Sequence, residues 1–405
     1  MAFHDLTTFA LLKKRETTWG EVEASGGPRL LTLVTEGLKG KPEMAQSKSS
    51  RSDRRSGPSK RVKLSGEGPI VVELLPGAAQ TTEFLEEAHS QAFTRTNLTA
   101  TDISFASGDN SINSAAAAFG SFVAGSWITI RGAGTAGNNT DGVSPRNWAA
   151  YVVSATASKI VLAYITVTTE TAGATVKLDG YYARDGQTVI SSSYERRMGA
   201  AGSYEFQPYL GQVVNSVAID YPANAIPTMT VNTTGLGPGA KSATSIFDGE
   251  AITAGPIPTE GTVADTSNNL KLFRLNGALS SIMKMFKIDA AQNNAYVNVS
   301  QQLGPLGISL GTHKVSGSFT GILQPSDAVS LLAYNRTAHA IHFAIDCPDA
   351  TEVIYTSIFS LTFDEMGDVA KTADTGPAEY TFAWTAQVDP TIGCYWQTSR
   401  IPKTV

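Results

Sequence analysis

Two short stretches of this chain have residue types at spacings that can do chemistry. The first is WITIRGAGTAGNN (127–139), where Gly132, Gly134 and Gly137 follow a β-rich run at G-x-G-x-x-G spacing. Such glycines hold a pyrophosphate only when they turn a strand into a helix whose first N–H groups meet the phosphate. Here NNTDGVSPRN follows, with Pro145 and no apolar period of 3.6. YVVSATASKIVLAYITV comes next, alternating and rich in β-branched residues. The pattern predicts two strands joined at Ala155–Ser158, with the glycines in a β-hairpin loop and no cofactor. The second stretch is HAIH (339–342). In a strand, positions i and i+3 face opposite sides, so His339 and His342 cannot share a metal ion.

Other chemistry finds no support. The five histidines are scattered, and no carboxylate accompanies one at helical ligand spacing. No G-x-S-x-G, Walker or C-x-x-C pattern occurs, and nothing pairs the many carboxylates for acid–base work. The expectation is a protein that is not an enzyme and takes no cofactor or metal. Cys347 and Cys394 are too few for a disulfide scaffold and read either as small buried groups or as one bridge. Trp148, Tyr151, Tyr181 and Tyr182 could stack on sugars if exposed, which leaves open a virion decoration or a carbohydrate- or cell-surface-binding β-protein. A core role suits most of them better.

Charge is concentrated in KSSRSDRRSGPSKRVK (48–63), which holds Lys48, Arg51, Arg54, Arg55, Lys60, Arg61 and Lys63. It reads as a phosphate-contacting arm or as a long solvated loop. A net charge of −5 argues against a dedicated nucleic-acid binder. Near the N-terminus, Asp5 precedes a short apolar run and Lys13, Lys14 and Arg15 follow it, the reverse of a secretory signal. No run of about 18 apolar residues is present, so no membrane partner is expected.

These residues must be positioned by strands. Charged residues are only 17% of the 405, while Gly, Ser, Thr, Ala and Asn abound, a composition that suits extended strands and wide solvated surfaces. The chain also repeats itself. KLSGEGPIVVELLP (63–76) with QTTEFLEEA matches KVSGSFTGILQP (314–325) with DAVSLLAYN, each giving a strand, a proline and a short helix. SVAID (216–220) matches SLTFD (360–364), each followed by a further Pro/Thr-rich strand. Residues 29–38 and 272–279 form a third, weaker pair. The first pair is 251 residues apart (63 to 314) and the second 144 (216 to 360), so the first copy carries 107 more. Those extra residues hold short strands with glycine turns, as in a small β-barrel inserted into a surface connection. Helices are expected at Gln80–Ser90 and Ser326–Tyr334. The first would put Phe84, Leu85 and Ala88 on the core and Glu83, Glu86 and Glu87 towards water.

ETTWGEV, the KLSGEGPIVVEL strand and its helix, SYEFQPYLGQVVNSVAIDY and IPTMTVNTTGLG together resemble the tail tube proteins of long-tailed bacteriophages. The inserted AFGSFVAGSWITIRG…YVVSATASKIVL…TAGATVKL segment is similar to an insertion in larger members. The resemblance implies an all-β chain with a short flanking helix per module. It implies two tandem β-sandwich or β-barrel tube modules, with a small barrel inserted in the first: residues 1–94 and 191–240 for the first module, 95–190 for the insert, 241–405 for the second. It implies a structural virion protein, assembled in the host cytoplasm, that polymerises into stacked rings and meets other tail proteins at the tube ends. Double-stranded DNA would pass through without specific binding. Two modules per chain favour a homotrimeric, pseudo-sixfold ring over a hexamer. The resemblance also supports a third reading of the basic stretch, as an arm whose Arg51, Arg54, Arg55, Lys60 and Arg61 dock on acidic surface of the adjacent ring.

Overall fold

The computed structural model describes residues 9–48, 57–140, 149–199, 203–279, 283–300, 302–322, 339–366 and 379–403. β1 (Ala10–Arg15), β2 (Arg29–Leu30), β3 (Thr35–Glu36), β4 (Lys39–Gln46) and β5 (Ser59–Glu73) lead to the helix α1 (Ala79–His89). Next come β6 (Thr94–Ala100), β7 (Ile103–Ala106), β8 (Ser111–Ser114), β9 (Trp127–Arg131), β10 (Ala150–Ala155), β11 (Lys159–Ala163) and β12 (Val176–Arg184). β13 (Ser191–Met198), β14 (Glu205–Tyr221) and β15 (Thr228–Leu236) follow. The remainder forms β16 (Leu270–Leu275), β17 (Ala278–Leu279), β18 (Met283–Ala291), β19 (Ala295–Val297), β20 (Gly307–Ser309), β21 (Lys314–Ile322), β22 (His339–Ile345), β23 (Glu352–Met366), β24 (Glu379–Ala386) and β25 (Trp396–Pro402). The chain is thus mostly β, as expected, and all the strands except β19 and β20 join one large sheet.

Hydrogen-bonded neighbours run β1–β13–β14–β15–β5–β4 in one series. A second series runs β16–β22–β23–β24–β21–β18. The SVAID and SLTFD strands, β14 and β23, take third place in each series, and the two Ser-Gly strands, β5 and β21, take fifth. The LFRLNGAL segment begins in β16, whose place is that of β1 and not of residues 29–38, a difference from the third sequence pair. Both Ser-Gly glycines sit against backbone. A Cβ at Gly66 would lie 2.2 Å from the Leu236 carbonyl oxygen, and one at Gly317 would lie 1.9 Å from that of Lys287. β18 finally lies along β14, with Ile219 opposite Ile288, and joins the two series.

Alternation within these strands sends one side chain in two to a shared apolar core. That core runs from Leu11, Ile70 and Val72 through Val217, Ile219 and Phe286 to Trp384 and Trp396. α1 covers it with Phe84, Leu85 and Ala88, as its sequence predicts. Its carboxylates depart from expectation. Glu87 is 3% exposed, and Lys13 Nζ stands 2.8 Å from Glu87 and 3.3 Å from Glu83. Arg15 reaches Glu86 at 2.5 Å and Arg29 reaches Glu83 at 3.0 Å. Lys13 and Arg15 share one face of β1 by strand alternation, while Lys14 on the other pairs with Glu250 at 2.6 Å. Burial alone would raise the Glu83 pKa, but Lys13, Arg29 and Arg15 hold it below the ordinary value. The expected second helix, Ser326–Tyr334, lies outside the described residues.

β6 to β12 form a further run, β7–β8–β11–β10–β9–β12–β6. It closes over its own cluster, which includes Phe105, Ile112, Ile128, Val152 and Leu178. β10 and β11 flank Thr156–Ser158, matching the predicted join. The segment is fastened by more than its two ends. β12 runs on to pair with β25, Tyr181 opposite Arg400. Trp127 is buried among Leu272, Ala344, Val353, Tyr355 and Ile401.

Candidate assembly surface

Of the stretch read as an arm (48–63), residues 49–56 lie outside the described residues, and Ser59 to Lys63 open β5, one strand of a β-hairpin with β4. Lys39–Gln46 pairs with Ser59–Glu67, with a bulge at Glu43/Met44. Beyond Ser65, β5 is held by β15 as well, whereas its first residues bond to β4, so the far half stands clear of the core. Lys60 and Arg61 are exposed there and alternate in direction. Arg51, Arg54 and Arg55 lie outside the described residues. Met44 and Val62 are 57% and 51% exposed, so the hairpin offers apolar as well as basic surface. At its base Lys41 meets Glu67 at 2.9 Å and Lys63 meets Glu43 at 3.2 Å. Lys63 also lies over the Tyr296 ring at 4.3 Å, and the Leu64 N–H donates to the Leu303 carbonyl. The base is therefore fixed to the β19–β20 segment while the far half stays clear.

Among the described residues the sheet has open edges. β14 carries β15 on one side, and β13 followed by β18 on the other. β23 carries β25 and then β24 on one side, but on the other β22 pairs only as far as Leu361. From Thr362 onward that side has no strand among the described residues. The outer edge of β4 is likewise without a strand among them, and Pro42, which lacks an N–H, sits in that strand. An unpaired edge is a template for another chain.

The other residues singled out from sequence serve packing. Gly132 turns the chain at φ +76°, and the loop beyond it makes a single 3-10 turn (Ala136–Asn138) rather than an α-helix. The Glu170 carboxylate accepts from the Gly134 and Thr135 N–H groups at 2.7 and 3.0 Å, so protein carboxylate stands where a phosphate would have to bind. His339 and His342 are both buried. His342 Nδ1 is 2.9 Å from Ser357 Oγ, to which Trp127 Nε1 donates at 3.0 Å, and burial with nearby Arg274 holds its pKa down at about 3. Cys347 and Cys394 are free and buried rather than bridged, and burial pushes each thiol up to about 12. Tyr151 packs against Trp127 at 5.3 Å. Tyr181 lies under Arg95 and Arg400, and Tyr182 under Arg184; Trp148 lies outside the described residues. Sequence reasoning missed the Lys13–Glu87 pairing and the docking of Trp127, since neither has a local spacing signal.

A family model described as phage tail tube protein matches residues 9–386 of the chain. No curated protein matches it.

Proposed function

The chain belongs to the phage tail tube protein family, structural and non-enzymatic components of the virion tail that polymerise into the tube, and on that premise we propose how its strands close a ring. Each chain contributes two tube modules, residues 1–94 with 191–240 and residues 241–405. Three chains then fill six positions around a channel for DNA. The observation that carries this is the identical order of the two strand series, joined by β14 and β18 while the corresponding side of β23 has no strand among the described residues. In the second module β18 is the last strand of its series, and β4 is the last of the first. A β4 laid along β23 of a neighbouring chain repeats the β14–β18 joint and pairs both of these edges. Matching Gly66 to Gly317 makes Gly40 the counterpart of Ile288, and Ile219 that of Phe363. Gly40 of one chain then faces Phe363 of the next, and Lys41 faces Thr362.

The far half of the hairpin continues past that joint towards the adjacent ring. Arg51, Arg54, Arg55, Lys60 and Arg61 meet carboxylates there, each contact worth about 0.2–1 kcal/mol and screened by salt. The exposed Met44 and Val62 add apolar area. The inserted residues 95–190 face outward, because a folded module of that size would block the channel. A net charge of −5 suits a conduit that must not trap phosphate.

The test is a cysteine pair, Lys41→Cys with Thr362→Cys. Facing residues in an antiparallel pair have Cα atoms about 4.5–5.5 Å apart, within disulfide reach. Oxidised rings should give a denaturing-gel ladder that ends at three chains. A ladder reaching six would sink the two-module argument, and an absence of crosslinks in intact rings would sink the joint. Replacing the five basic residues by alanine should leave rings intact while tubes shorten as salt rises.

A further inference from the structure

α1 ends on Ser90 in the left-handed region, φ +51°, and this turn aims His89 inward, where it stacks on Trp396 at 4.1 Å. The ring is 1% exposed. Its Nε2 stands 2.9 Å from Thr398 Oγ1, while its Nδ1 is buried and has no hydrogen-bond partner among the described residues. His313, between β20 and β21, is held in a similar way. Asp185 Oδ1 lies 3.1 Å from its Nδ1, and its Nε2 is also buried and without a partner among the described residues. Both rings line one cavity of about 20 Å³, with Ser90, Gln292 and Asn294. Two glycines keep it small. A Cβ at Gly186 would lie 2.3 Å from the Ser90 carbonyl oxygen, and one at Gly311 would lie 1.8 Å from that of Asn293.

A buried imidazole nitrogen without a partner is costly, and this cavity has two with room for one small occupant. Each ring is also held at its far nitrogen. A carboxylate beside one ring nitrogen is how metal-binding histidines are oriented to ligate through the other. We infer that this cavity is a site for one first-row divalent transition cation of the Zn²⁺ type. His89 Nδ1 and His313 Nε2 are its protein nitrogens, and oxygen from Asn294 and water completes the shell. Bound there, the ion ties together the end of α1, the chain leaving β12 and the segment before β21, and stabilises the fold increasingly as its free concentration exceeds the dissociation constant.

The experiment uses the full-length, unassembled chain after chelator treatment. Co²⁺ should bind at one equivalent with visible absorption, Zn²⁺ should displace it, and Zn²⁺ should raise the unfolding temperature. His313→Gln should abolish both effects. Asp185→Asn should weaken binding by about 10–100-fold with the circular dichroism unchanged, which a purely structural carboxylate would not do. Water is the competing occupant. Neither Co²⁺ absorption nor a Zn²⁺ shift in the wild-type chain would assign the cavity to water and overturn the inference, as would one-equivalent binding that survives His313→Gln.

Discussion

Trp127→Ala tests how the β6–β12 segment is fastened to the sheet behind it. Trp127 is 2% exposed and lies on Tyr355 with ring centres 4.5 Å apart. Its Nε1 donates to Ser357 Oγ at 3.0 Å, and that hydroxyl also contacts His342. Emptying a buried aromatic site costs about 3–5 kcal/mol, since the walls relax only in part. The lost donor adds about 1 kcal/mol, and the lost stacking on Tyr355 is already contained in the first figure. The expected loss is about 4–6 kcal/mol, a large part of the roughly 5–15 kcal/mol that keeps a domain folded. Urea unfolding of the unassembled chain reads it as a lower midpoint, and Trp127→Phe should lose less than half as much. A double-mutant cycle with Tyr355→Ala should show a coupling of at least about 0.5 kcal/mol. If Trp127→Ala stays within 1 kcal/mol of wild type, the segment is tethered rather than docked and the reasoning is wrong. The same interface bears on removing residues 95–190. A Gly/Ser bridge would leave Val353, Tyr355 and Ile401 uncovered and β25 without β12, so tubes should form from the shortened chain only with polar replacements on that face.

Further outcomes follow from the same contacts. Lys13→Met leaves Glu83 and Glu87 without their ammonium partner and should cost about 3 kcal/mol by thermal unfolding. Because the folded Glu83 pKa is depressed, its contribution is present above about pH 4.3 and lost as pH falls through the folded value, so the mutational penalty should shrink in acid. His342 is neutral when folded, with a pKa of about 3 against about 6.5 unfolded, so stability should fall with pH below 6.5 by about 1.4 kcal/mol per unit. His342→Gln should show a smaller drop in urea midpoint between pH 6.5 and 5; an equal drop would reassign the titration. Gly317→Ala drives a methyl to 1.9 Å from the Lys287 carbonyl oxygen and 2.5 Å from Trp384 Cζ2, and should cost at least about 1–3 kcal/mol. Gly137→Ala, whose Cβ meets nothing nearer than Thr168 Oγ1 at 4.0 Å, should be within about 0.5 kcal/mol of wild type.

What the sequence determined by itself was local. Alternation and β-branching marked β10 and β11 and the turn between them. The apolar face of Phe84, Leu85 and Ala88 marked α1, and Pro145 with the missing helical period ruled out a phosphate site at Gly132–Gly137. The likeness of the Ser-Gly segments and of SVAID to SLTFD was also legible, because likeness between segments is written in residue order. Tertiary structure decided everything that depends on which strands become neighbours. Lys13–Arg15 looked like a charge run until strand order set β1 against α1 and gave Lys13 and Arg15 the carboxylates that helical periodicity assigns to water. Trp127 looked like one more strand residue until β12 carried its segment onto β25. His89 and His313 carry no spacing signal, since they meet only where the end of α1, the return from β12 and the approach to β21 converge. Periodicity reports which face of an element is apolar. It does not report what that face meets, because partners far apart in the chain are chosen by the summed packing and pairing of the whole sheet.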